Sequence, residues 1–215
     1  MKPVITIAIA LAGLGGARFA REAASTHAEG IDEPYAPSPA SAPIVFLGFR
    51  EAFADLFWIR LTGYFGGPDS TADGVASLVE AINGLDPRYH RPYEYGARAV
   101  TIAQHGVTQD SYVRSLAILE RGIKEFPDDW KLPMLAGQIY TQDLETTDPA
   151  QRRAWDERGT LLTESAIRKP GAPTDAATWV AFMQTKLGQR ERAITDLREM
   201  ILVTRDDNSR RALIE

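Results

Sequence analysis

A chain of 215 residues with 24 basic and 29 acidic side chains carries a formal charge of −5, which argues against a nucleic-acid surface, because that requires a clustered basic stripe. Apolar residues make up 44% and charged residues 25%, which suffices for one packed domain plus an appendage. There is no cysteine, so disulfides, thiolate metal sites, thiol catalysis and cysteine lipidation are excluded.

Residues 1–21 form a hydrophobic segment whose apolar run, VITIAIALAGLGGARFA at 4–20, follows Lys2 and stays uncharged up to Arg18. Two readings stand for it. One is a cleaved signal peptide, for which Thr26-His27-Ala28 is a distant small-residue site. The other, which we favour, is an uncleaved single-pass anchor at the short end of what spans a bilayer. Residues 22–43 contain four prolines among Ala and Ser, a composition that resists helix and sheet and gives a semi-extended spacer. The remaining 44–215 are expected to fold as one helical domain, with no strand-like alternation of any length.

The breaks in that domain are regular. GLDPR at 84–88, EFPDDW at 125–130, RKPGAP at 168–173 and TRDDN at 204–208 are separated by about 40, 43 and 35 residues. Each sets a proline or paired Asp after an amphipathic segment. Proline lacks the amide that a helix needs and restricts its predecessor, and Asp128, Asp129 and Asp207 are suited to accept hydrogen bonds from the next helix. The first helix, roughly 44–66, is unusually aromatic. It reads either as the core-facing start of the stack or as a membrane-surface helix.

Within this punctuation the sequence resembles the tetratricopeptide repeat family. Residues 186–207, KLGQRERAITDLREMILVTRDD, are similar to the second half of a repeat, with Gly188 at the hairpin turn, Ala193 at the small crossing position, and Leu197 and Met200 facing inward. LAILERGIKEFPDDW supplies Gly122 and Pro127; WKLPMLAGQIY supplies Gly137 and Tyr140; PYEYGARAV supplies Tyr93 and Ala97; and ADLFWIRLTGYF supplies Trp58, Leu61, Thr62 and Phe65. Small residues let helix axes approach while large ones three or four positions away fill the gap. The resemblance covers about residues 45–207, and the second and third units exceed the family's period of about 34 residues by several. It implies an all-α, right-handed helical-hairpin solenoid of about four repeats, behind a transmembrane or signal helix.

The resemblance further implies a bacterial envelope protein, held in the inner membrane through residues 4–20 with the repeats on the periplasmic side. Its role would be that of an adaptor for other proteins, or alternatively of a constitutive accessory subunit of a membrane complex. A partner groove would be lined by the first helix of each hairpin: Arg91, Glu94, Tyr95 and Arg98, then Lys131, Leu135 and Gln138, then Trp179 and Phe182. The plainer alternatives are that Trp179 and Phe182 belong to the core, and that Glu94 bridges Arg91 and Arg98 on its own helix.

No catalytic, cofactor or metal site is expected. His27, His90 and His105 do not stand at ligand spacing. Phosphate-cradling glycine loops and the nucleophile-elbow pattern are missing from the sequence. Asp128–Asp129 and Asp206–Asp207 sit in turns, where helix capping accounts for them.

Overall fold

The computed structural model describes Pro34, residues 48–173 and residues 176–214. Everything said of the anchor, of the spacer apart from Pro34, and of residues 44–47 therefore lies outside the described residues. The chain divides at Glu33, and the following concerns the unit that starts at Pro34. No helix among the described residues is long and apolar enough to cross a membrane.

That unit is all-helical among the described residues, without a strand. In chain order it comprises α1 (Arg50–Phe65), α2 (Ala72–Leu85), a π-helical turn (Pro92–Gly96) running straight into α3 (Ala97–Thr101), and α4 (Gln109–Glu125). Then come α5 (Lys131–Gln138), continuous with a second π-helical turn (Ile139–Asp143), α6 (Pro149–Ile167), α7 (Ala176–Lys186), α8 (Arg190–Val203) and α9 (Asp207–Ile214). The four breaks anticipated from sequence begin where α2, α4, α6 and α8 end. They therefore separate helix pairs: α1–α2, the Pro92–Thr101 helix with α4, the Lys131–Asp143 helix with α6, and α7–α8. Packing runs mainly between chain neighbours.

Local chemistry explains the ends. Thr71 caps α2 by accepting from the Gly74 amide at 3.0 Å. Thr108 and Ser111 form a reciprocal capping box at α4. Asp148 accepts from Ala150 at 2.9 Å ahead of α6, with Pro149 at the first helical position, where a missing amide costs nothing. Asp129 accepts from the Lys131 amide at 2.8 Å, as the Asp-rich turn suggested.

Helix crossings use the small residues. A methyl placed on Gly137 would lie 2.8 Å from the carbonyl oxygen of Gly159, and one on Gly159 would lie 2.8 Å from that of Gly137. The two glycines thus let α5 and α6 touch backbone to backbone. At the preceding pair, Gly122 lies under the ring of Tyr93, which is itself 2% exposed. Ala193 is buried, and Leu197 and Met200 are half-buried, in keeping with the inward register read for the last pair. Thr62, which matches the small position of the first unit, is exposed.

The main core runs from α1 to α6 through Leu61, Leu78, Ile82, Tyr93, Ile118, Leu119, Leu132 and Ile139. A second, thinner cluster of Ile167, Ala177, Val180 and Leu213 lies under α7 to α9, with Met134, Trp179, Leu197, Met200 and Ile201 packed on it.

Candidate partner-binding surface

The residues expected to line a groove fall on or beside the helices that open the second, third and fourth pairs, and the opening helices meet one another along three seams. At the first seam, α1 and the Pro92–Thr101 helix enclose an almost wholly apolar cleft of about 310 Å³, lined by Trp58, Leu61, Phe65, Tyr95, Arg98 and Ile102 among others. Tyr95 is 56% exposed and Ile102 64% exposed at its edge. Tyr95 and Gly96 both belong to the π-helical turn, which inserts a residue and widens the helix here. Trp58 is steadied from behind by Tyr89, with ring centroids 5.7 Å apart.

At the second seam, Glu94 pairs with Lys131, with the nearest nitrogen–oxygen distance 3.3 Å. Glu94 therefore bridges to the next helix pair rather than to Arg91 and Arg98 on its own helix. Both arginines are exposed. Beneath this seam, His90 meets Asp129 at 2.5 Å, and its ring stands edge-on to Phe126.

At the third seam, Gln138 and Trp179 line a smaller cavity of about 140 Å³ together with Met134, Gln142, Thr163 and Ala176. Trp179 is half-buried and Phe182 is 64% exposed, so Phe182 is a surface residue while Trp179 serves both surface and core. Leu135, expected to line the groove, is instead 8% exposed within the main core. The outward stripe of α5 runs through Lys131, Met134 and Gln138, one position off the expected one, and Met134 takes the place assigned to Leu135.

A charge network not anticipated from sequence joins α6 to α8. Glu164, 7% exposed, receives Arg168 at 2.9 Å and Arg192 at 2.6 Å. Asp196 receives Arg168 at 3.2 Å and the Gln184 side-chain amide at 2.6 Å. Arg192 also reaches Asp196 at 3.8 Å, so Arg168 and Arg192 alternate with two carboxylates in a closed ring. The signal was present, since Glu164–Arg168 and Arg192–Asp196 each stand four residues apart on a helix. Glu164, Arg168 and Asp196 of the ring line an open cavity of about 520 Å³ reaching Met200 and Thr204. Nearby, Asp156 is buried and takes Arg152 at 3.0 Å and Lys186 at 2.8 Å.

Ionisable groups elsewhere answer to burial. Desolvation pushes the Tyr93 phenol up to about 12, with Glu125 adding to it. It also raises Tyr140, which donates to Glu120, and Asp143. Among the described residues no three His, Asp or Glu side chains gather as metal ligands would. His105 is occupied at the loop between α3 and α4: its backbone pairs with Ser70 and Ala72, and its ring lies 3.0 Å from the Pro68 carbonyl oxygen. No protein-family model matches the chain, and no curated protein matches it at a significant level.

Proposed function

We propose that the chain is a membrane-tethered scaffold of tetratricopeptide type, in which a right-handed stack of about four helix pairs holds another protein during assembly or upkeep of a bacterial envelope complex. Residues 4–20 anchor it in the inner membrane and the helical unit faces the periplasm. It performs no catalysis itself. The observation that carries this reading is the apolar cleft between α1 and the Pro92–Thr101 helix. Tyr95, Ile102 and Arg98 stand at its rim over Trp58 and Phe65. Binding energy concentrates in aromatic and arginine side chains that can be desolvated against a partner, and the inner face of a helical stack offers them in series. The regular breaks and the close glycine crossings support the stack. A bulky apolar side chain on a partner segment is the expected occupant of the cleft.

The test is affinity purification of the tagged full chain from native membranes, followed by mass spectrometry, with Tyr95→Ala and Ile102→Glu alongside. Each variant should weaken capture of a specific partner by roughly 1–3 kcal/mol without lowering the helical melt. Full recovery by the folded double variant would remove the cleft from the interface. A second reading, that of a constitutive accessory subunit, draws on the apolar outer side of α1, where Leu56 is 58% and Ile59 66% exposed. It predicts subunits that stay bound through detergent in both variants.

A further inference from the structure

The apolar cleft at the first seam is closed differently at its two ends. Trp58, Leu61, Thr62 and Phe65 line it from α1, and the stretch from Tyr95 to Ile102 lines it from the facing helix. Each stripe advances seven residues, about 10 Å of helix. The two run the same way: Tyr89, ahead of the facing helix, meets Trp58, and His105, after it, meets Pro68 beyond the end of α1. One end is shut by backbone. In the loops that follow Phe65 and Ile102, the Ala72 amide donates to the His105 carbonyl at 2.9 Å and the His105 amide to the Ser70 carbonyl at 3.0 Å. The other end is shut by side chains. There Trp58 leans on Tyr89, with ring centroids 5.7 Å apart and planes tilted by 54°, and both residues are half-buried.

We propose that Tyr89 is a positioning residue: through Trp58 it fixes the length of the cleft, and so the size of the apolar side chain that a partner can insert. This rests on the adaptor reading. Tyr89 stands outside the cleft lining, in the turn between α2 and the next helix, so it acts on an occupant only through the indole. It is itself held on both sides. Its amide donates to the Asp86 carbonyl at 3.2 Å, and the next residue, His90, is tied to Asp129 at 2.5 Å. The paired backbone at the opposite end cannot yield without moving two loops, whereas an indole can change rotamer. The space that the Tyr89 ring fills lies directly behind Trp58. Surroundings collapse only in part into a space left by a deleted side chain, and the indole is the group placed to turn into it. The cleft then lengthens at that end alone. Apolar pockets discriminate by about 10–200-fold for a single methylene, so one rotamer change at Trp58 is enough to alter which residue fits.

The test uses the full chain in lipid nanodiscs, with fluorotryptophan at its four tryptophans and Trp58→Phe to assign the Trp58 resonance by fluorine NMR. The probe is a library of random short peptides displayed on phage, counter-selected on Ile102→Glu so that only cleft-dependent sequences remain. In Tyr89→Ala the Trp58 resonance should move while those of Trp130, Trp155 and Trp179 stay. Among the selected peptides, the ratio of tryptophan and tyrosine anchors to leucine and valine anchors should rise at least about tenfold. Tyr89→Phe keeps the ring and should retain the parent's resonance and size preference. Circular dichroism checks folding, and if Tyr89→Ala does not fold, Tyr89→Leu takes its place with the same expectations. A Trp58 resonance indifferent to the loss of the ring overturns the proposal, as does one that moves with no change in size preference. Movement of all four resonances together would reduce Tyr89 to general support of the fold, which also overturns it. A library that yields no Ile102-dependent peptide sinks the adaptor reading, and the size-setting role with it, while the fluorine spectra still tell whether Tyr89 holds Trp58.

Discussion

Replacing Gly137 by alanine tests the closest helix crossing. Two effects oppose each other. In an exposed helix interior, alanine is favoured over glycine by about 1 kcal/mol. At Gly137 the added methyl would sit 2.8 Å from the Gly159 carbonyl oxygen and 3.3 Å from the Thr163 amide nitrogen, and closer still to the Thr163 hydroxyl. The hydroxyl can rotate, but the carbonyl belongs to the backbone of α6 and can yield only if the helix moves. Overpacking of this kind typically costs about 1–3 kcal/mol. With a backbone atom as the obstacle we take the upper half of that range, which leaves a net loss of about 1–2 kcal/mol after the helix preference is subtracted. Gly63, also within a helix, has nothing within 4 Å of such a methyl, so Gly63→Ala should instead gain up to about 1 kcal/mol. Urea unfolding followed by far-ultraviolet circular dichroism measures both, and each kcal/mol should move the thermal midpoint by roughly 2–4 °C. The reasoning fails if Gly137→Ala is as stable as the parent chain, or if the two substitutions shift stability in the same direction.

Three further outcomes are expected. Glu164→Ala should destabilise the chain by about 1–3 kcal/mol, below the usual figure for a broken buried pair because its arginine partners are partly solvated; Arg192→Ala should cost less, since Arg168 still reaches Glu164, and urea titration separates the two. Trp179→Ala should cost about 1–3 kcal/mol while Phe182→Ala stays within about 0.5 kcal/mol, which thermal melts can resolve. Tyr93 has a folded-state pKa raised from 10.0 to about 12. Its contribution is therefore fully present below pH 10 and is lost as pH rises through about 12. Tyr93→Phe should flatten the alkaline loss of stability in that window, as followed by circular dichroism against pH.

The helix pairs could be read from the sequence because their ends are written in proline and aspartate, whose effects are local. Gly122, Gly137 and Ala193 were readable for a similar reason: a close crossing admits few residue types. The sequence does not separate Leu135 from Met134, because Lys131, Met134, Leu135 and Gln138 all lie within one broad helix face, and only packing against α4 and α6 decides which of the two turns inward. The π-helical turns left no such mark. Pro92 and Gly96 bracket the first, yet both residues are equally at home in an ordinary helix start and a close crossing. They do account for part of the extra length of the second and third units. The ring of Glu164, Arg168, Arg192 and Asp196 depends on two helices at once, so the sequence displayed its halves without their union.

The thinness of the second cluster has a consequence for how the chain opens. Among the described residues the buried members of that cluster are Ile167, Ala177, Val180 and Leu213, and the charge ring that assists them contains arginines open to solvent. Amide protons of α7 to α9 should therefore exchange with deuterium through partial openings well below the global unfolding energy, as a separate cooperative unit. Added salt should speed that exchange while hardly touching α2, α4 and α5, because mobile ions screen solvent-exposed pairs and not packed side chains. Since Trp179 and Phe182 ride on this unit, a partner that engages them must first quiet it, and its grip would register as slowed exchange throughout α7 to α9 rather than only at the residues it touches.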